Sequence, residues 1–122
     1  MRLKNILLVV ENVEKSVSFY KELFGLQVLN DFGGNVILTE GLVLQERKIW
    51  ESLIEKKAEF GGNASVLYFV DNNLEVFQEK LEHSSFEINY LHKLKVYEWG
   101  QKAIRLYDPD GHLIEIGEMI SK

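Results

Sequence analysis

Arg105, Tyr107 and Glu115 flank the turn Asp108-Pro109-Asp110-Gly111-His112, and their types and spacing could do chemistry. A carboxylate such as Glu115 works as a general base when a partner orients it and a metal or a hydrogen-bond donor stabilises the anion that forms. Arg105 is such a donor, with a planar fork that matches a carboxylate and a permanent charge. Around the turn, a five-residue loop pairs Tyr107 with Leu113 and Arg105 with Glu115 on one face, whereas a four-residue turn sends Arg105 to the other face. Asp108 and Asp110 read as turn residues whose side chains bond back to the backbone, with Pro109 fixing the second position and Gly111 the exit. The three histidines offer less. His112 is in the turn, His83 near a helix end and His92 in a loop or strand end, none with an HxH or HxxxH partner, so each is assigned an ordinary surface or turn role.

The elements that must position these residues follow a repeated plan. Leu3 to Val10 is an apolar strand, and Val13, Val17, Phe19, Tyr20, Leu23 and Phe24 then mark a helix over about 13–24. Asn12 caps its start and Gly25 its end. Strand-like stretches follow at Leu26–Asn30, Asn35–Thr39 and Leu42–Arg47, and Ile49–Phe60 reads as a short helix or ordered loop. After Gly61-Gly62-Asn63 the order recurs: a strand over Ala64–Val70, an apolar helix face at Leu74, Phe77 and Leu81 with Asn72 and Glu75 as a capping box, and strands at about 86–91, 102–107 and 113–117. An offset of 60 places Val10-Glu11-Asn12 on Val70-Asp71-Asn72. The chain is therefore expected to be one α+β domain over 1–122, made of two βαβββ modules at about 1–60 and 64–122.

Composition narrows the partners. With 122 residues, 46% hydrophobic and 27% charged, the chain can bury a core. Nineteen acidic against 14 basic residues, with no dense Lys/Arg cluster, argue against a nucleic-acid partner. The longest apolar run, Ile6–Val10, is too short for a membrane span or a secretory signal, so no membrane partner is expected. The absence of cysteine excludes a disulfide scaffold, a thiolate zinc site and a cysteine nucleophile, and fits the cytoplasm.

The duplicated modules, the helix from Asn12 to Leu26 and the ending Arg105-Leu106-Tyr107-Asp108-Pro109-Asp110-Gly111-His112-Leu113-Ile114-Glu115-Ile116 together resemble the vicinal oxygen chelate superfamily. That superfamily contains glyoxalase I, bleomycin and fosfomycin resistance proteins and extradiol dioxygenases. The resemblance implies that each module curls a mixed sheet into a half-barrel, that two half-barrels enclose a ligand cavity, and that the protein forms a homodimer. Metal-dependent members carry ligands on the first and last strand of each module, which maps them to Asn5, Gln45, Ser65 and Glu115. Only Glu115 is a plausible ligand, because neutral amide and hydroxyl oxygens hold transition metals poorly. No cofactor is therefore expected, and a divalent metal is disfavoured.

Relatives use the position of Arg105 to line the ligand site, which implies the five-residue turn and places Arg105 and Tyr107 beside Glu115 in the cavity. Strand alternation then adds Asn5, Leu7 and Val9, Val43, Gln45 and Arg47, and Ser65, Leu67 and Phe69 to the lining, and sends Tyr68 to the core with Tyr20, Phe24 and Phe77. Arg105 and Glu115 are expected to form a bidentate pair where relatives hold a metal. Trp50 and Trp99 either supply a stacking wall at the cavity mouth or fill the core or a dimer interface. The leading expectation is a metal-independent binder of a small organic ligand or antibiotic. The alternatives are a glyoxalase I-like lyase or isomerase, or a dioxygenase, using Glu115 with Arg105 as catalytic residues, and a regulatory or scaffold dimer with a vestigial cavity.

Overall fold

A computed structural model describes residues 1–118, and the chain divides into two compact units, Met1–Glu59 and Phe60–Lys122. The first unit runs β1 (Ile6–Val10), α1 (Val13–Phe24), β2 (Val28–Asp31), β3 (Asn35–Leu38), β4 (Leu42–Glu46) and α2 (Arg47–Ile54). The second runs β5 (Leu67–Asp71), α3 (Leu74–Glu82), β6 (Asn89–Val96), β7 (Lys102–Tyr107) and β8 (Leu113–Glu118). Each unit forms a four-stranded mixed sheet of the same topology, β1-β4-β3-β2 and β5-β8-β7-β6, in which the outer first strand runs parallel to the fourth. The fold is α+β, built of tandem βαβββ modules.

One face of each sheet is covered by its long helix. In the first unit Val10, Val36, Leu38, Leu42 and Leu44 are buried on the side of Phe19, Tyr20 and Leu23 of α1. In the second, Ile104, Leu106, Ile114 and Ile116 are buried with Leu74, Phe77 and Leu81 of α3. Each such side chain taken out of water stabilises its unit by about 1.5–3 kcal/mol. Asn12 caps α1 by accepting from Lys15 N at 3.0 Å, and Gly25 ends the helix at φ 72°, where any Cβ would be disfavoured.

Several element boundaries differ from the sequence reading. β1 begins at Ile6, which leaves Leu3 exposed and Asn5 outside the strand. β4 stops at Glu46, whose carboxylate accepts from Ile49 N at 2.9 Å and so starts α2 at Arg47. The cap of α3 is Asn73, which accepts from Val76 N at 3.1 Å, in place of Asn72, and the expected capping box does not form. β6 covers Asn89–Val96 in place of about 86–91, so His92 lies within a strand.

The shift of the cap by one residue has a large effect. The capping asparagines Asn12 and Asn73 are 61 residues apart, which aligns Leu7 and Val9 with Tyr68 and Val70. In β5 it is Tyr68 that stands opposite Glu115, and Val70 opposite Gly117. Because strand side chains alternate, a slip of one residue exchanges the two faces. Leu67 and Phe69, opposite Ile114 and Ile116, therefore belong to the helix-covered face, and Tyr68 is 54% exposed on the other. Tyr68 is not a core residue. Its hydroxyl crosses Gly117, where an added Cβ would lie 2.0 Å from Oη, so that glycine is required for the tyrosine to lie flat.

Candidate functional site

The site assembles on the face of the second sheet that α3 does not cover. Ladder pairing sets Arg105 opposite Glu115 and Tyr107 opposite Leu113, as the five-residue turn requires. The turn is held by Asp108, whose Oδ1 accepts from Asp110 N and His112 N, each at 2.9 Å, while Oδ2 lies 2.8 Å from His112 Nδ1. Burial, the largest influence on His112, opposes its protonation, but the hydrogen bond to Asp108 and the charges of Asp108 and Asp110 outweigh it and raise its pKa above 6.5. Tyr107 donates to Asn63 Oδ1 at 2.8 Å, which ties the glycine-rich segment to β7.

Arg105 Nε donates to Glu115 Oε1 at 2.9 Å. The expected bidentate pair is not made: Glu115 takes one nitrogen, and Nη1 turns to two partners from the β6 side, His92 Nε2 at 3.0 Å and the hydroxyl of Tyr97. The hydrogen bond with Tyr97, with burial opposing and Glu115 adding, lifts the Arg105 pKa further above its usual value. His92 Nδ1 lies 2.8 Å from the carbonyl oxygen of Lys93, which can only accept. Nδ1 therefore carries the proton and Nε2 turns its lone pair to Arg105. Tyr97 stacks on Trp99 with ring centroids 4.7 Å apart and 18° between planes, and Trp99 Nε1 donates to Gln101 Oε1 at 2.9 Å. Trp99 is 71% exposed, so it does not fill the core.

His92 reaches this face through an irregular ladder. Tyr90 stands opposite Leu106, and an unbroken strand would then put Leu91 opposite Arg105. The register shifts between Tyr90 and His92, which brings His92 opposite Arg105, and shifts again before Lys95. Bulges of this kind re-aim side chains. Gln78 of α3 secures the irregular stretch by accepting from Leu94 N and donating to the Tyr90 hydroxyl, both at 2.8 Å. Sequence reasoning missed His92 and Tyr97 as partners of Arg105, because no spacing rule announces a bulge.

The other expected site residues are dispersed. Leu7 and Gln45 share the face of the first sheet turned away from α1, where Gln45 is buried and its Oε1 accepts from Asn35 Nδ2 at 2.8 Å. Arg47 opens α2 in place of lining a strand, and pairs with Glu11 at 2.9 Å. Trp50 is half-buried on α2. Ser65 is exposed and lies outside β5, and Leu67 points to the helix side.

The donor set does not fit a divalent metal. Asn5 and Gln45 in the first unit are neutral amides, with the oxygen of Gln45 already engaged, and Glu115 in the second faces a guanidinium. The register also aligns Asn5 with Val66 in place of Ser65, and an apolar side chain offers no donor at all. Asp108, Asp110 and His112 bring ligand atoms within 4.8 Å of one another, but Asp108 spends both oxygens on the turn.

The family model described as a glyoxalase-like domain matches residues 3–121. The chain belongs to the glyoxalase-like domain family. It is thus a member of the vicinal oxygen chelate superfamily. A structure of a protein of unknown function from Agrobacterium tumefaciens is 32% identical, with a TM-score of 0.82 over 98% of this chain and 95% of that one. A glyoxalase/bleomycin resistance protein/dioxygenase family enzyme from Burkholderia phytofirmans shares the fold at a TM-score of 0.81 and 14% identity, covering 98% of this chain and 100% of its own. A lactoylglutathione lyase from Agrobacterium tumefaciens does so at 0.68 and 20%, covering 93% and 90%. No curated protein matches the sequence. Among the described residues of this glyoxalase-like domain, no helix is long and apolar enough to cross a membrane.

Proposed function

We propose that this glyoxalase-like protein is a metal-independent binder of a small organic molecule, acting as a homodimer in the cytoplasm. The observation that carries the reading is the Arg105–Glu115 pair: the one carboxylate at a family metal position faces a fixed guanidinium. The pair's side chains are 26% and 16% exposed, open enough to meet a ligand and sheltered enough for its hydrogen bonds to count. Exposed Tyr68 and Val70, on the Glu115 side of β5, give a second copy an apolar surface to cover.

Native mass spectrometry of the purified protein tests mass, metal and retained ligand together. The expected result is a dimer with no stoichiometric metal. A stoichiometric nickel, zinc, iron or manganese ion would overturn the reading and favour a lyase or dioxygenase using Glu115. A thermal-shift screen with metabolites and antibiotics then separates a binder from a scaffold, since a ligand of the native state must raise its stability.

A further inference from the structure

We propose that the Arg105–Glu115 site selects an uncharged ligand that carries an N–H or O–H donor beside a carbonyl oxygen, as in a carboxamide, and that His92 is the positioning residue that sets this preference. The proposal deepens the binder reading and rests on it.

Arg105 spends Nε on Glu115 and Nη1 on His92 and Tyr97. Nη2 and its two hydrogens have no partner among the described residues, and neither has Glu115 Oε2. Because the Tyr97 oxygen accepts from Arg105, its own hydroxyl hydrogen is left to donate. The open edge of the site is therefore donor at Arg105 and Tyr97 and acceptor at Glu115.

Charge then selects among ligands. A carboxylate placed on Nη2 meets the Glu115 carboxylate, and an ammonium or amidinium placed on Oε2 meets the Arg105 guanidinium. A carboxamide offers its oxygen to the first and its N–H to the second with no like charges opposed. Leaving either buried-edge group unmatched costs binding, so the discrimination works against both charged classes.

His92 enters through geometry. Its tautomer is fixed by Lys93 O, and its Nε2 takes one Nη1 hydrogen, so the guanidinium is held from the β6 side as well as from Glu115. Without that acceptor, Nη1 keeps only the Tyr97 hydroxyl, and the guanidinium is less restrained from rotating toward Glu115 to close a bidentate pair, which consumes Nη2 and Oε2 together. The register shift in β6 exists at the position that delivers His92 to this contact.

Benzamide, benzoate and benzamidine have nearly the same shape and differ in charge, so they serve as probes, with dissociation constants read by ligand-observed NMR titration. Benzamide is expected to bind about tenfold more tightly than either charged analogue. Glu115→Gln removes the negative charge and should turn the preference to benzoate. His92→Leu should weaken benzamide about tenfold, and His92→Gln, whose amide oxygen can accept from Nη1, should restore most of it; circular dichroism confirms that each variant is folded. Equal or tighter binding of benzoate to the unaltered protein, no change of preference in Glu115→Gln, no loss in His92→Leu, or no saturable binding of benzamide would each overturn the proposal. If the thermal-shift screen still yields a ligand in that event, the binder reading stands and only the selectivity fails.

Discussion

The two sheets share strand order and the placement of the helix after the first strand, yet the faces turned away from that helix carry different chemistry. On the first sheet the face turned away from α1 carries Leu7, Val9, Ile37 and Val43, with a neutral hydrogen bond between Asn35 and Gln45, and Val43 and Gln45 are buried there. On the second it presents Arg105, Glu115, Tyr68 and, through a bulged strand, His92. By ladder position Glu115 corresponds to Val43, since they stand opposite Tyr68 and Leu7. The two modules thus share a scaffold, while among the described residues the charged network on this face belongs to the second. A sheet tolerates this because residues on that face are exchanged without repacking the helix side.

The strongest test of the comparison lies in the link between third and fourth strands. In the second unit Asp108, 3% exposed, braces the turn through its side chain, whereas the first unit joins β3 to β4 by a 3-10 turn over Thr39–Gly41 with no side-chain cap. Asp108→Ala strands backbone N–H groups and should cost about 2–4 kcal/mol in denaturant unfolding. A loss under 1 kcal/mol would show that both turns are held by backbone alone.

Next in size, Arg105→Met makes the second face resemble the first and leaves Glu115 unpaired. Because the pair is partly solvated, the expected loss is about 1–3 kcal/mol, smaller than for a fully buried pair. An unchanged melting temperature and unchanged ligand binding would mean that the pair is ornamental.

The pH dependence tests the turn from another side. His112 has a raised pKa in the fold, so its contribution is fully present below the unfolded value near 6.5 and fades as pH rises through the folded value. Stability measured from pH 6 to 9 should fall more for the natural protein than for His112→Gln, and identical slopes would remove His112 from the account. The smallest effect belongs to Glu40, whose φ of 64° is left-handed: Glu40→Gly should stabilise the first unit by up to about 1 kcal/mol.

The fold was largely legible, because apolar periodicity, Asn12, Gly25 and the Asp108 turn each act locally. The Arg105–Glu115 juxtaposition was legible only with the resemblance to the superfamily, which chose the five-residue turn over the four-residue one and so fixed the register. What misled was the join between modules, where matching Val10-Glu11-Asn12 to Val70-Asp71-Asn72 chose the wrong asparagine as cap. Asn72 and Asn73 are equally able to cap on paper, and in the fold it is Asn73 that does so, with Leu74 and Phe77 buried. That single residue exchanged Tyr68 with Leu67. Arg47 was misplaced because the Glu46 side chain ends β4 by capping α2, a contact that competes with strand continuation. The β6 shifts and the Gln78 contacts are tertiary and left no local pattern.

The irregular course of β6 also bears on how the protein survives at high concentration. β6 is the outermost strand of its sheet, and an exposed, regular outer strand is a template on which another chain can add. Two register shifts interrupt its spacing, Gln78 already occupies the N–H of Leu94, and Lys93 and Lys95 place charges along it. The distortion that delivers His92 to Arg105 therefore also denies a neighbouring molecule a continuous hydrogen-bonding edge, so straightening β6 should cost solubility as well as the site.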